Sequence, residues 1–287
     1  MKNTLNFRDL TILLISYYSS NDIIRIIKKI DRKIKIIIIE NAQEKGFKSK
    51  FSNFKNVKIV FSKKNLGQVG GINLGFKKIK TKYAVYMDPD VDFKKTTIFD
   101  FLKIAYQIKD FVILAPQHEK SKYKNDWKSN KPNKHKNLEL MKMVHGHFLF
   151  FNMKNVRKVG KYDKNIWMYY DETDYCLRAY RKNQKIYVIP YFKVEHKGGS
   201  SIKSGKTLNI ESHHKWHFMW SKFYYFKKNY SLIRAYKETL PDLIISLIKF
   251  LYFYLYDKRK RIIYLSAMNG LINSYFNKKS YKRPILE

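Results

Sequence analysis

Two aspartates flank a proline, Asp88-Pro89-Asp90, directly after the apolar run Tyr83 to Met87. If that run is a strand, both carboxylates leave the sheet at its carboxyl end. Carboxylate oxygens there can hold a hard cation such as Mg²⁺ or Mn²⁺, which keeps positions open for the oxygens of a diphosphate. Alone, the pair fits a capped turn with two solvated acids equally well. Upstream lies Asn65-Leu66-Gly67-Gln68-Val69-Gly70-Gly71-Ile72-Asn73, whose glycines let the backbone approach a ligand or tightly packed neighbours. A Gly-rich turn opening a helix also favours phosphate. The two motifs following one another closely are far rarer than either one.

Positioning these groups requires a sheet, and the first half of the chain is patterned for one. Short apolar runs alternate with helical patterns, which predicts a mainly parallel sheet flanked by helices. Strands are expected at Leu10 to Ser16, Ile34 to Glu40, Val57 to Ser62, Tyr83 to Met87 and Val112 to Ala115. Between them the pattern predicts helices over Asp22 to Ile30 behind an Asn21 cap, over Gln68 to Lys78, and from Thr96 through Gln107. Ligands of such sheets sit beyond the carboxyl ends of the strands, where Ser16, Glu40 and Asp88 fall. Residues Glu119 to Asn137 read as a mobile surface loop that can serve as a lid.

Formal charge is +36, from 59 Lys and Arg against 23 Asp and Glu, which favours anionic partners. The abundance of Lys, Ile, Asn, Tyr and Phe also matches AT-biased codon usage, so charge alone selects no function. A single cysteine, Cys176, excludes an internal disulfide and suits a reducing compartment. With no basic-then-apolar leader at Met1 to Leu10, a cytoplasmic location is expected. The apolar run Leu243 to Tyr256 is interrupted by Lys249 and falls short of the roughly 20 residues that span a bilayer. Followed by Lys258, Arg259, Lys260 and Arg261, it fits a membrane interface or an ordinary buried helix. Trp216, Trp220 and Phe223 recur at helical spacing and are expected in a helix-packing core.

The Gly-rich turn followed by Asp-Pro-Asp resembles the inverting glycosyltransferases of family 2, which have a GT-A fold, in particular a rhamnosyltransferase-like subgroup. The resemblance runs from about Leu10 to Ser201. It implies a nucleotide diphosphate sugar donor, a divalent cation (Mn²⁺ or Mg²⁺) and a glycan or lipid-linked saccharide acceptor of the cell envelope. Donor contacts then fall to Ser16 and Tyr18, in the family's first turn, to Glu40 where aspartate is usual, and to Asn65, Gly67, Gly70, Gly71, Asn73 and Asp88. Asp90 and Asp88 become metal ligands, joined by His196 of Glu195-His196-Lys197-Gly198-Gly199-Ser200, which is similar to the family's H-x-G-G-S segment. That histidine is expected after a strand at Lys185 to Ile189 and a Pro-led connection. His145 and His147 are acceptor-side candidates.

The resemblance also assigns the acidic stretch Asp171-Glu172-Thr173-Asp174, followed by Cys176-Leu177-Arg178. Helical spacing places Asp171 and Asp174 on one face. The family order, glutamate then aspartate, is reversed here, so Glu172 is the expected general base and Asp171 its alternative. The implied organisation is a GT-A domain over residues 7–205 and a helical C-terminal region over 206–287, peripheral to a membrane. Two rivals compete. A sugar-nucleotide nucleotidyltransferase needs an early Gly-rich basic loop, whereas the first strand runs into Ser16-Tyr17-Tyr18-Ser19-Ser20. A basic nucleic-acid-binding protein fits the charge and aromatics, yet no recognition-helix, zinc-finger or RNA-platform motif accompanies them.

Overall fold

The computed structural model describes residues 5–118, 124–196 and 207–283. The chain divides into two compact units, Met1–Tyr162 with Tyr175–Ile202, and Asp163–Asp174 with Lys203–Glu287.

The first unit is built on strands β1 (Leu10–Ser16), β2 (Lys35–Glu40), β3 (Val57–Phe61) and β4 (Tyr83–Met87), joined by helices α1 (Ser20–Ile27), α2 (Phe47–Lys50) and α3 (Gly67–Lys78). These four strands pair in parallel in the order β3-β2-β1-β4. β1 lies between two neighbours and is buried almost throughout, and four consecutive isoleucines, Ile36 to Ile39, fill β2. Continuous β-branched runs of this kind suit strands covered on both faces. The chain builds outward from β1 to β3 and returns to β4 on the other side of β1, so the strand order reverses between β1 and β4. Such a switch point is where open α/β sheets bind ligands.

Beyond β4 the sheet becomes mixed. A two-residue strand β5 (Val91–Asp92) precedes α4 (Thr97–Ile108), β6 (Ile113–His118), β7 (Glu139–Met141) and β8 (Phe148–Asn152), then α5 (Met153–Val159). β8 pairs antiparallel with both β4 and β6. Helix α6 (Asp171–Arg181) leads into β9 (Ile186–His196), which runs parallel to β6 and antiparallel to β5 and β7.

Several boundaries differ from the sequence expectation. α1 starts at Ser20 rather than after Asn21, because the carbonyl of Ser19 already accepts the Ile23 N–H at 3.0 Å. β6 continues past Ala115 to His118. β9 does not end at Ile189. Its register against β6 slips beside Pro190, from Pro116↔Ile189 to Gln117↔Lys193, and pairing then resumes through His196. A bulge is where a strand tolerates a residue without an N–H. The expected loop Glu119 to Asn137 is anchored where it is described. Asn125 exchanges hydrogen bonds with Gln117 and Pro116 of β6 and accepts the His145 N–H at 2.9 Å.

The second unit packs helices α7 (Thr207–Asn229), α8 (Leu232–Tyr252) and α9 (Lys258–Tyr275). Trp216, Trp220 and Phe223 are buried, as their helical spacing predicts, with Phe223 in a core that includes Ala235, Ala267 and Leu271. Gly270 of α9 lies against the carbonyl of Trp216 on α7 so closely that a Cβ has no room. α8 is only partly covered: Leu240, Ile244, Ile248, Leu251 and Tyr252 are exposed, as are Leu255 and Tyr256 beyond its end. Among the described residues, no helix is long and apolar enough to cross a membrane.

Candidate metal centre

β4 delivers Asp88 and Asp90, and the path of the next few residues decides where they point. The turn closes through the Val91 N–H on the Asp88 carbonyl at 3.2 Å, and β5 then pairs Val91 with His196 and Asp92 with Glu195. That short ladder brings His196 Nε2 to 3.1 Å from Asp90 Oδ1 and 3.6 Å from Asp88 Oδ2. One donor atom from each of the three side chains lies within 4.8 Å of the others. Two carboxylates and an imidazole are a donor set that suits Mn²⁺, and Asp90 is buried while the other two are partly open. The residues present therefore fit the divalent cation that the motif implies.

The loop is clamped from the first βα unit. Arg25 of α1 donates to the Pro89 carbonyl at 3.4 Å, and Lys29 donates to Asp92 and to the Phe93 carbonyl. Tyr86 donates its hydroxyl to Asp88 Oδ1 at 2.5 Å, and the Asp88 N–H reaches the His147 carbonyl at 2.9 Å. The Tyr86 hydroxyl restrains the Asp88 carboxylate itself, and the other contacts fix the backbone that carries both aspartates.

His118, which the sequence reading did not single out, and His147, expected on the acceptor side and found against His196, complete the surroundings. His118, at the end of β6, accepts the His196 backbone N–H on its Nε2 at 2.8 Å, which leaves its own proton on Nδ1. The His147 ring stacks on that of His196, with centroids 5.1 Å apart and planes 9° apart, while His118 meets His147 edge-on at 5.0 Å. Burial, followed by the neighbouring imidazoles of His196, His118 and His145, holds His147 well below the usual histidine range, so it is neutral. His145 is lowered by burial and then by His118. Partners of this kind orient metal-ligating side chains. The available signal for both was position, a histidine at a strand end and another one residue before a strand.

The remaining donor-side candidates stand at the carboxyl ends of β1 and β2 and on α3, mostly engaged with the protein itself. Glu40 is buried, and its carboxylate accepts the N–H groups of Ala42 and Gln43 at 2.7 to 3.1 Å, which shapes the loop that follows. Its neighbour Asn41 donates to the Gly67 carbonyl at 3.1 Å and accepts the Ser62 hydroxyl at 3.0 Å, joining the ends of β2 and β3 to the start of α3. Ser16 is buried beside Ser19, whereas Tyr18 is exposed with φ 53°. Asn65 accepts the Gly67 N–H at 2.9 Å, and Gly67 itself has φ 68°. A Cβ on Gly70 would strike Leu66 and one on Gly71 would strike Ile15, each at 2.7 Å, so close packing accounts for both glycines. Asn73 exchanges two 3.0 Å hydrogen bonds with the backbone of Tyr162. Lys197 to Ser200 lie outside the described residues.

The acidic stretch opens α6. Asp171 and Asp174 are buried, and Asp174 accepts from Lys228 at 2.6 Å and from Asn229 at 3.0 Å, both within the second unit. Burial raises the Glu172 carboxyl above the ordinary range, against the pull of hydrogen bonds from its own backbone and from Asp171. Just before it, Tyr169 and Tyr170 are both left-handed, with φ 63° and 60°. Each such residue costs roughly 1–3 kcal/mol and persists only where its surroundings enforce it. Here Tyr170 is wedged among Phe218, Tyr225 and Phe226, and Tyr169 packs on His214 and Phe218.

Known proteins share this fold. The GT-A fold recurs in a mannosyltransferase from Pyrobaculum calidifontis, solved with GDP-Man and Mn²⁺, at TM-score 0.56 and 11% identity over 94% of this chain and 88% of that one. It recurs also in GalNAc-T7, solved with UDP, GalNAc and Mn²⁺, at TM-score 0.54 and 13% identity over 75% of this chain and 50% of the other. In sequence, the chain is 21% identical over 197 residues to the low-salt glycan biosynthesis hexosyltransferase Agl10 of Haloferax volcanii. That match covers 62% of this chain and spans 64% of the relative's length. Residues 11–160, just over half of the chain, match the sequence profile of "Glycosyl transferase family 2". On that match, and with an Asp-Asp-His group at the switch point of the matching fold, the chain belongs to glycosyl transferase family 2, a family of sugar-transferring enzymes.

Proposed function

We propose that this chain transfers a sugar, with inversion, from a nucleotide diphosphate donor to a cell-envelope glycan or lipid-linked saccharide. The observation that carries this reading is the convergence of Asp88, Asp90 and His196 beyond the carboxyl end of β4. Asp90 and His196 hold a Mn²⁺ or Mg²⁺ ion directly, and Asp88 serves as a further ligand or positions the ribose. When bound, the cation supplies positive charge against the donor's diphosphate. The nucleotides and Mn²⁺ in the two related structures support that assignment. Ser16, Tyr18 and the Asn65–Asn73 turn border the donor, with Glu40 holding the loop beside them.

Glu172 takes the proton of the acceptor hydroxyl as its oxygen attacks the anomeric carbon, and the bond to the nucleotide's phosphate oxygen breaks on the opposite face. A carboxyl raised by burial is a stronger base than an exposed one, which favours Glu172. Residues 7–205 carry the donor chemistry, and residues 206–287 serve the acceptor and membrane side. The exposed apolar residues of α8 and the stretch after it, ending in Lys258 to Arg261, form a surface suited to an anionic bilayer interface. In this reading the protein works on the inner face of the cytoplasmic membrane.

Asp90→Ala removes a direct ligand, so Mn²⁺-dependent binding of UDP or GDP should disappear. Isothermal titration with and without Mn²⁺ measures it, and unchanged metal-dependent affinity in the variant sinks the assignment.

Glu172→Gln should lower kcat by about 10²- to 10⁴-fold while donor affinity stays within a few fold. The wild-type rate should rise with pH through a pKa above the ordinary glutamate value, and the variant should lack that limb. Asp171→Asn should cost less; a larger loss would exchange the two roles, and near-native turnover in both variants would end the base assignment.

Full-length protein should co-sediment with phosphatidylglycerol vesicles and not with phosphatidylcholine vesicles at low salt. Leu251→Glu with Leu255→Glu, both at exposed positions, should release it. Equal binding by the variant removes the membrane face from the account.

A further inference from the structure

The second unit contains a cavity of about 520 Å³ beside the C-terminal parts of α7 and α9. Six cationic side chains line it, Lys164, Lys227, Lys228, Lys278, Lys279 and Arg283, and among the described residues no carboxylate lines it. Lys228 is committed to Asp163 and Asp174, at 2.8 and 2.6 Å. The others form no ion pair among the described residues. Lys227 meets the amide oxygen of Asn277, and Arg283 donates to the Lys282 carbonyl and lies over the Trp167 ring at 4.8 Å. Lys164, Lys278 and Lys279 are exposed and have no ion pair among the described residues.

A charge of +36 puts lysines over the whole surface, so lysines alone select nothing. What sets this place apart is their convergence on a concavity with a flat aromatic wall. Trp220 and Tyr224 stack there, with centroids 5.0 Å apart and planes 16° apart, Trp220 buried behind the half-buried Tyr224, and Tyr224 and the exposed Asn277 add a hydroxyl and an amide group. Gathered like charges repel, and focus a positive potential that an anion relieves. Aromatic faces with polar edges suit a pyranose ring, and hydroxyl and amide groups suit its hydroxyls.

We propose that this cavity binds an anionic saccharide, a sugar chain carrying carboxylate or phosphate groups. Its role as the acceptor's site rests on the sugar-transfer reading above; the binding itself does not.

The test is isothermal titration of the full-length protein at low salt with an oligogalacturonate, with a neutral malto-oligosaccharide of equal length, and with inorganic phosphate. The acidic oligosaccharide should bind at least about tenfold more tightly than either control, a difference of ~1.4 kcal/mol. Lys278→Glu with Lys279→Glu should weaken it at least about tenfold, whereas the charge-matched Lys45→Glu with Lys48→Glu, on exposed lysines of the first unit, should not. Equal loss in both variants reduces the effect to net charge and overturns the proposal, as does unchanged affinity in the cavity variant. Phosphate binding as tightly as the oligosaccharide overturns the saccharide specificity. Mn²⁺-dependent nucleotide binding by the wild-type protein is titrated separately, so failure of the donor reading and failure of this one give different results.

Discussion

Two backbone pairings, Val91↔His196 and Asp92↔Glu195, hold the candidate centre together. Asp88 and Asp90 are neighbours in sequence, but His196 is more than a hundred residues away and reaches them only because β9 continues past its bulge to meet β5. The ladder is two residues long and would not persist alone. Arg25 of α1 and Lys29 just after it hold its loop and near strand, and His118 takes the N–H of its far strand. Closure of the β4–β5 turn is thus what converts a pair of surface acids into a three-donor site.

The parallel half of the sheet supplies the rigid base for that turn. α3 lies so close over β1 that Gly71 and Gly75 meet Ile15 and Leu13 with no space for a side chain. Asn41 then ties the tips of β2 and β3 to the first turn of α3. Polar groups at these strand ends spend their hydrogen bonds on one another, which fixes the rim of the switch point. In the helical unit the same economy appears at Asp174, held by Lys228 and Asn229, which anchors the start of α6.

How legible this was from sequence depended on the range of each interaction. Short apolar runs announced β1 to β4 almost to the residue, and Asp88 and Asp90 could be placed because a strand end is a local property. The acidic opening of α6 was legible for the same reason. His118 was not, and His147 was read only as an acceptor-side candidate, since their place beside His196 comes from a stack and a backbone hydrogen bond formed across β6, β8 and β9. Pro190 looked like the end of a strand, and only pairing with β6 shows that it occupies a bulge. Gly71 was compatible with ligand approach or with packing, and the side chain of Ile15 decides for packing. The left-handed pair Tyr169 and Tyr170 leaves no mark in composition, because packing around each ring imposes it.

The central claim is that Asp88, Asp90 and His196 share one divalent cation that also meets the donor's diphosphate. Electron spin echo envelope modulation of Mn²⁺ bound to the full-length protein tests it most directly. The account predicts nitrogen modulation from one directly bound imidazole, its disappearance in His196→Gln, and phosphorus coupling once UDP or GDP is added. A spectrum of free aqueous Mn²⁺ at saturating protein, or nitrogen modulation that survives in His196→Gln, would contradict it.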